Sequence, residues 1–144
     1  MLRDRRGYST LLWVGFLTFL LVPLTALTVN LGRFYYARAE MYKAADAAAL
    51  AAAQEVDVEH YRATGEIVLL PSAFGVAGQY AAMNSSYLAG RRIYPQVTGI
   101  TVDQGRRTVF VQLAASADEL VPLLGSLTLR GQGEAQVRGA VGGP

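Results

Sequence analysis

The sequence contains no cysteine and a single histidine, His60, among 144 residues. The missing cysteines exclude disulfides, thiolate metal sites and cysteine nucleophiles, and one histidine excludes a zinc site built from several imidazoles. Charge is also scarce, because only 17% of residues are charged against about 25% in typical soluble domains. The net charge of +2 gives no basic footprint for nucleic acid. We therefore expect an anchoring or structural protein rather than an enzyme, with no cofactor, metal or small-molecule substrate.

What the sequence does contain is a long apolar run near its N-terminus. No Asp, Glu, Lys or Arg occurs from Gly7 to Gly32, and the core of this run, residues 11–31, has 21 residues. At ~1.5 Å per residue a helix of that length spans roughly 30 Å, the thickness of the bilayer hydrocarbon. We predict one transmembrane helix, kinked at Pro23. The alternatives are a buried helix of a soluble protein and a secretory signal cleaved after residues 37–39.

The basic residues on the two sides of this run do not by themselves predict the orientation of the helix. Three arginines lie in the leader, residues 1–8, while Arg33, Arg38 and Lys43 follow the run, so the positive-inside rule is close to a tie. The short leader and the larger C-terminal portion favour a cytoplasmic N-terminus and a C-terminal domain outside the cell.

The same helix is expected to continue beyond the membrane, because neither glycine nor proline occurs between Arg33 and Gly65. We predict one helix over residues 9–58. Alanine, the strongest helix former, dominates its second half, where residues 44–53 read AADAAALAAA. Alanine buries little area but allows another backbone to approach closely. This stretch is either a spacer or a packing surface, against the chain's own domain or against other subunits.

The remaining residues, 59–144, predict a small α+β domain outside the membrane. Its clearest feature is a β-hairpin over residues 97–115, where apolar residues alternate on both sides of a turn at Asp103, Gln104 and Gly105. We also predict a short strand over 66–70, a short helix within 76–90, an apolar loop or helix leading into a strand over 120–129, and a last strand over 134–141. Because the domain is small, the attached helix should lie across the sheet as its second layer.

Two segments together resemble the TadE/TadG-like proteins of Flp (Tad) pilus systems. The first combines the basic leader, the apolar run, NLGRFYY at residues 30–36 and ADAAALAAA at 45–53. The second, residues 109–141, is similar to the family's closing pattern of alternating strand, LLG and final strand. The resemblance implies a pilin-like α+β fold, with one long N-terminal helix and a small antiparallel C-terminal domain.

Two positions depart from the pattern of that family. Asn30 stands where the family has Asp before LGR, and Leu12 stands where pilin-like precursors carry a glutamate five residues after the cleavage-site glycine. Gly7 and Tyr8 are the residues between which a leader peptidase would cut. Without a carboxylate at Leu12, the chain lacks the charge that would pair with a neighbouring amino terminus in a fibre, which favours a minor component over a major subunit.

The resemblance implies a structural subunit of an Flp/Tad surface filament or of its assembly platform, in a prokaryotic cell membrane. Its partners would be the membrane, further copies or other pilin-like subunits, and the assembly machinery, without nucleic acid. The residues expected to serve helix packing and assembly are Pro23, Asn30, Ala45, Ala48, Ala49 and Ala52. On this view Ala48→Glu should block assembly without unfolding the C-terminal domain. The alternative function is a membrane-tethered binding module with no role in a filament.

Overall fold

The structure, a computed structural model, describes residues 5–117 and 127–137. Within these residues, four helices precede three strands. The helices are α1 (Arg5–Gln54), α2 (Val58–Thr64), α3 (Ala73–Met83) and α4 (Ser86–Ala89), and the strands are β1 (Gln96–Asp103), β2 (Thr108–Ser116) and β3 (Thr128–Gln136). The fold is therefore α+β, as predicted: one long N-terminal helix and a small antiparallel sheet.

Helix α1 is continuous over 50 residues and includes Pro23. The chain nevertheless divides into two compact units between Tyr35 and Tyr36, within this helix. The second unit, called here the C-terminal unit, thus begins well before residue 59, where the sequence places the domain boundary. It does so because the alanine-rich part of α1 supplies much of the buried core.

Helix α1 ends at Gln54 rather than at residue 58, since the backbone then turns to make other contacts. Val56 forms an isolated antiparallel bridge with Leu69, and Asp57 opens α2 by accepting a hydrogen bond from the backbone N–H of His60 at 2.9 Å. Such an N-cap satisfies one of the free amides of the new helix. Gly65 closes α2 in the left-handed conformation, with φ of 77°, which glycine adopts without steric cost.

The predicted β-hairpin is confirmed. β1 and β2 pair in antiparallel fashion, with Val102 opposite Val109 and Ile100 opposite Val111. The connecting turn is stabilised by the carboxylate of Asp103, which accepts a hydrogen bond from the backbone N–H of Arg106 at 3.0 Å. The sheet order is β1-β2-β3, with both pairings antiparallel.

Three weaker predictions differ from the structure. Residues 66–70 form only the bridge at Leu69, and Ile67 pairs instead with the side chain of Gln104, whose amide both donates to and accepts from its backbone at 2.8 Å. The region 76–90 holds two helices, α3 and α4, separated at Asn84 and Ser85. One strand, β3, covers 128–136, so it includes both the strand start predicted at the end of 120–129 and residues 134–136 of the predicted last strand. The predicted segment at 120–126 and residues 138–141 lie outside the described residues.

The buried core of the C-terminal unit lies on one face of the sheet. Alternate residues of β2, Val109, Val111 and Leu113, are at most 1% exposed, and Leu129 of β3 is 2% exposed. Helix α3 packs against β1. Leu88 of α4, at 0% exposure, and Ile93, at 1%, are two further large side chains of this core. A buried face opposite a polar one is the usual pattern of an antiparallel sheet covered on one side.

Candidate functional site: the long N-terminal helix

The first half of α1 exposes large apolar side chains in every direction. Within Ser9–Gln54 an 18-residue window reaches a mean hydropathy of 2.1, and none of that window is buried. Phe19 is 80% and Trp13 63% exposed. Among the described residues, α1 is the one helix long and apolar enough to cross a membrane.

The three threonine side chains of this apolar stretch are hydrogen-bonded within the helix. The hydroxyls of Thr18, Thr25 and Thr28 donate to the carbonyl oxygens four residues earlier, at 2.8–2.9 Å. In hydrocarbon an unsatisfied donor costs several kcal/mol, so internal pairing is what a lipid-exposed helix requires. These threonines are therefore compatible with a surface that contacts lipid or another apolar helix.

Pro23 and Asn30 interrupt the apolar surface at two depths. Pro23 has no N–H, so the carbonyl of Phe19 lacks its helical donor. Asn30 is half-buried at the end of the apolar run. The role of both residues in helix packing stays a prediction.

The second half of α1 is buried along one face. Ala45, Ala48, Ala49 and Ala52 are 0% exposed, as are Ala37, Met41 and Ala44. Their spacing of three and four residues places them on one side of a helix. The structure thus brings the four predicted packing alanines together in the interior of the C-terminal unit. Their role in assembly between subunits stays a prediction.

Two glycines of β3 explain why these positions are alanine. A Cβ added at Gly133 would overlap the backbone carbonyl of Ala45, and one added at Gly131 would lie 2.8 Å from the carbonyl oxygen of Met41. The backbone of α1 therefore lies almost in contact with the backbone of β3. Sequence reasoning missed this contact, although glycines two residues apart on one face of a strand are its signal.

The outward face of the same helix stretch carries a different set of residues. Tyr42 is 39% and Leu50 58% exposed, and Ala39 and Asp46 are also exposed. These four residues lie at intervals of three or four. They lie on the exposed side of the helix, opposite the buried alanines.

The predicted processing residues lie within the first turns of α1. The helix begins at Arg5, so the Gly7–Tyr8 peptide bond has helical backbone. Cleavage between these residues stays a prediction, and a peptidase that reads an extended substrate would need this turn to unwind.

The far end of the C-terminal unit contains an open groove of about 1030 Å³. It is bordered by Leu50 and Val58, by Tyr61 and Arg62 of α2, and by Glu134 of β3. His60 of α2 does not border this groove, and its buried Nε2 atom has no hydrogen-bond partner among the described residues. Within residues 5–117 and 127–137, no three His, Asp or Glu side chains are grouped so that they could hold a metal ion.

Comparison with known proteins bears on α1 specifically. Residues 7–55 match the family model described as "Putative Flp pilus-assembly TadE/G-like". No curated protein and no solved structure matches the chain. The matched family is one of pilus-assembly proteins rather than of enzymes. The apolar half of α1 and its alanine-rich extension are therefore TadE/G-like, which confirms the first of the two segments that carry the resemblance and supports a role in Flp/Tad pilus assembly. The similarity of residues 109–141 to that family stays a prediction.

Proposed function

We propose that this protein is a single-pass, pilin-like component of an Flp/Tad filament or of its assembly platform. The observation that carries the proposal is the coincidence of three features in one helix: the family match at 7–55, the exposed apolar surface of residues 11–31, and the buried alanine face that follows. In this proposal residues 11–31 hold the protein in the membrane. The C-terminal unit, which begins at Tyr36, lies outside the cell.

The apolar half of α1 would serve twice. Before assembly, lipid covers its side chains. During assembly, copies of this helix or helices of other subunits replace the lipid, an exchange in which close packing rather than hydrophobicity supplies the driving force. In the alanine-rich half only the outward residues, including Tyr42 and Leu50, are open to such a neighbour.

We place the protein among the minor or platform components rather than the bulk of the fibre. Leu12 supplies no carboxylate to pair with the amino terminus of an adjacent subunit. In a fibre built of thousands of copies, this charge pair would be missing at every contact between subunits. If the chain is a minor component, the pair is missing at only one or a few contacts.

Intact mass spectrometry of sheared surface material, beside the membrane fraction of the same cells, tests this placement. We expect the chain in the membrane fraction and only in trace amounts among sheared fibres. Its mass also reports whether residues 1–7 have been removed. A chain that dominates the sheared material would overturn the minor role and make it the fibre subunit.

The second candidate function is a membrane-tethered binding module, and the groove beside Tyr61 and Arg62 favours it. Removal of the gene distinguishes the two. Loss of surface fibres in electron micrographs, restored by the intact chain, supports the assembly role. Normal fibres in cells that lack the chain would favour the binding module.

A further inference from the structure

The C-terminal unit has two chemically different ends, defined by the direction of α1. We call the end at Tyr36 the basal end and the end at Gln54 the distal end. Because Gly131 lies beside Met41 and Gly133 beside Ala45, β3 runs in the same direction as α1. The antiparallel pairing then places the starts of β1 and β3 at the basal end. The turn from Asp103 to Arg107 lies at the distal end.

The two ends differ in charge among the described residues. The distal end carries three arginines, Arg62, Arg106 and Arg107, but twice as many acidic residues: Glu55, Asp57, Glu59, Glu66, Asp103 and Glu134. The basal end carries the basic residues Arg38, Arg91, Arg92 and Arg130. Between the two ends, Lys43 is paired with Glu40 at 3.6 Å. A unit divided in this way is drawn toward an anionic surface by its basal end.

Arg91 lies over the ring of Tyr87 at the basal end, and Tyr87 in turn meets Tyr36 edge to face. The ring of Tyr87 meets that of Tyr36 at a centroid distance of 4.3 Å, and the guanidinium carbon of Arg91 lies 3.8 Å from the centroid of Tyr87. No carboxylate of residues 5–117 or 127–137 forms a salt bridge with Arg91. Stacking on Tyr87 orients the planar guanidinium while leaving its N–H groups available for an oxyanion.

Tyr36 follows Leu31, the last residue of the apolar run, by five residues in the sequence. Five residues span at most roughly 18 Å even when fully extended, so chain connectivity alone keeps Tyr36 near the membrane interface. Tyr94, which precedes the basal start of β1, is 60% exposed. Tyrosines and arginines together at this depth are the side chains that favour the membrane interface.

We propose that the basal end binds the headgroups of anionic phospholipids, with Arg91 donating to a lipid phosphate and Tyr36, Tyr87 and Tyr94 lying in the interfacial layer. This inference rests on the membrane span of the proposed function. It adds a second attachment that holds the C-terminal unit down on the bilayer before assembly. Each basic residue near an anionic surface contributes about fivefold to such binding.

The absence of cysteine allows one fluorophore to be attached at a chosen position of the full-length chain. Ala89→Cys, exposed near Arg91, carries the probe at the basal end, and Ala63→Cys, exposed on α2, is its matched control at the distal end. Both are reconstituted in nanodiscs of phosphatidylcholine, with and without about one third phosphatidylglycerol. A nitroxide on the lipid headgroup quenches the probe on contact.

We expect quenching at position 89 to increase with phosphatidylglycerol and to fall in high salt, while quenching at 63 stays low. Arg91→Gln should reduce the ratio of bound to unbound states about fivefold. Arg91→Lys should retain part of the binding, and Arg106→Gln, at the distal end, should change nothing. Circular dichroism confirms that each variant is folded.

Equal quenching at both positions, no dependence on anionic lipid, or equal effects of Arg91→Gln and Arg106→Gln would each overturn the proposal. Insertion into pure phosphatidylcholine discs tests the membrane span separately. If the chain does not insert there, the proposed anchoring fails. If it inserts but position 89 ignores the anionic lipid, only the headgroup contact fails.

Discussion

The two halves of α1 belong to one helix but differ in which side chains they bury. The first half exposes large apolar side chains, and the second half buries small ones. In residues 11–31 the large apolar side chains are exposed, from 47% for Leu17 to 80% for Phe19. In the following stretch the smallest side chains are the buried ones, and six alanines are 0% exposed. Hydrophobicity alone therefore does not indicate which part of this helix lies inside the protein.

The difference has a physical origin in what each half packs against. Large side chains keep neighbouring backbones apart and provide extensive apolar surface, which suits lipid and helix exchange. Alanine provides little area, about one methyl group per residue, but permits contact between backbones. Here the contact is with Gly131 and Gly133 of β3. The alanines set the distance between layers, while larger side chains such as Met41, Leu88 and Leu113 fill the space around them.

The strongest test of this comparison is a charge placed on the buried face. Ala48→Glu introduces a carboxylate where the side chain is 0% exposed. Burial of an unpaired charge costs about 3–5 kcal/mol, so the structure predicts that this variant unfolds the C-terminal unit. The sequence alone predicts loss of assembly with the domain intact. Ala39→Glu, on the exposed face, is the matched control and should leave stability within about 0.5 kcal/mol.

Amide hydrogen exchange of β2 in detergent micelles measures this effect, because the β2 amides report the stability of the C-terminal unit and not that of the apolar half of α1. We expect strand protection to collapse in Ala48→Glu and to persist in Ala39→Glu. Equal protection in the two variants would mean that the alanine face is not packed on the sheet.

Truncation of one side chain to alanine in each half of α1 should give a second, smaller difference in stability. Met41 is the largest fully buried side chain, and Met41→Ala should destabilise the C-terminal unit by about 3 kcal/mol through lost contacts and a cavity. Leu20, 53% exposed in the apolar half, is the control. Leu20→Ala should leave the exchange of β2 amides unchanged. A comparable loss in both variants would contradict the division of α1 into two environments.

Much of the architecture follows from local patterns in the sequence. The apolar run, the absence of helix breakers up to Gly65 and the alternation around Asp103 predict α1 and the β1–β2 hairpin. These features depend on neighbours in the chain. The family resemblance in residues 7–55 rests on equally local motifs.

The parts that could not be predicted depend on contacts between distant residues. Ile67 pairs with Gln104, 37 residues away, and this side-chain contact replaces the predicted strand. The sequence does not predict that one strand, β3, continues through Gly131 and Gly133, because glycine normally weakens strands. The cluster of Tyr36, Tyr87 and Arg91 likewise joins distant parts of the chain. No periodicity reveals such partners.

The smallest effect concerns the backbone contact that defines the buried half. Gly133→Ala adds one methyl group that overlaps the carbonyl of Ala45, so α1 and β3 must separate, and we expect a loss of about 2 kcal/mol in the free energy of unfolding. Gly75→Ala is the matched control in α3, where an added Cβ meets nothing within 4 Å. There the same change should stabilise by about 0.5–1 kcal/mol, since alanine favours helix. Hydrogen exchange of β2 measures the change in unfolding free energy of both variants, and we expect opposite signs. If Gly133→Ala is neutral, the close approach of α1 to the sheet does not set the spacing between the two layers. The alanine-rich sequence must then serve another purpose.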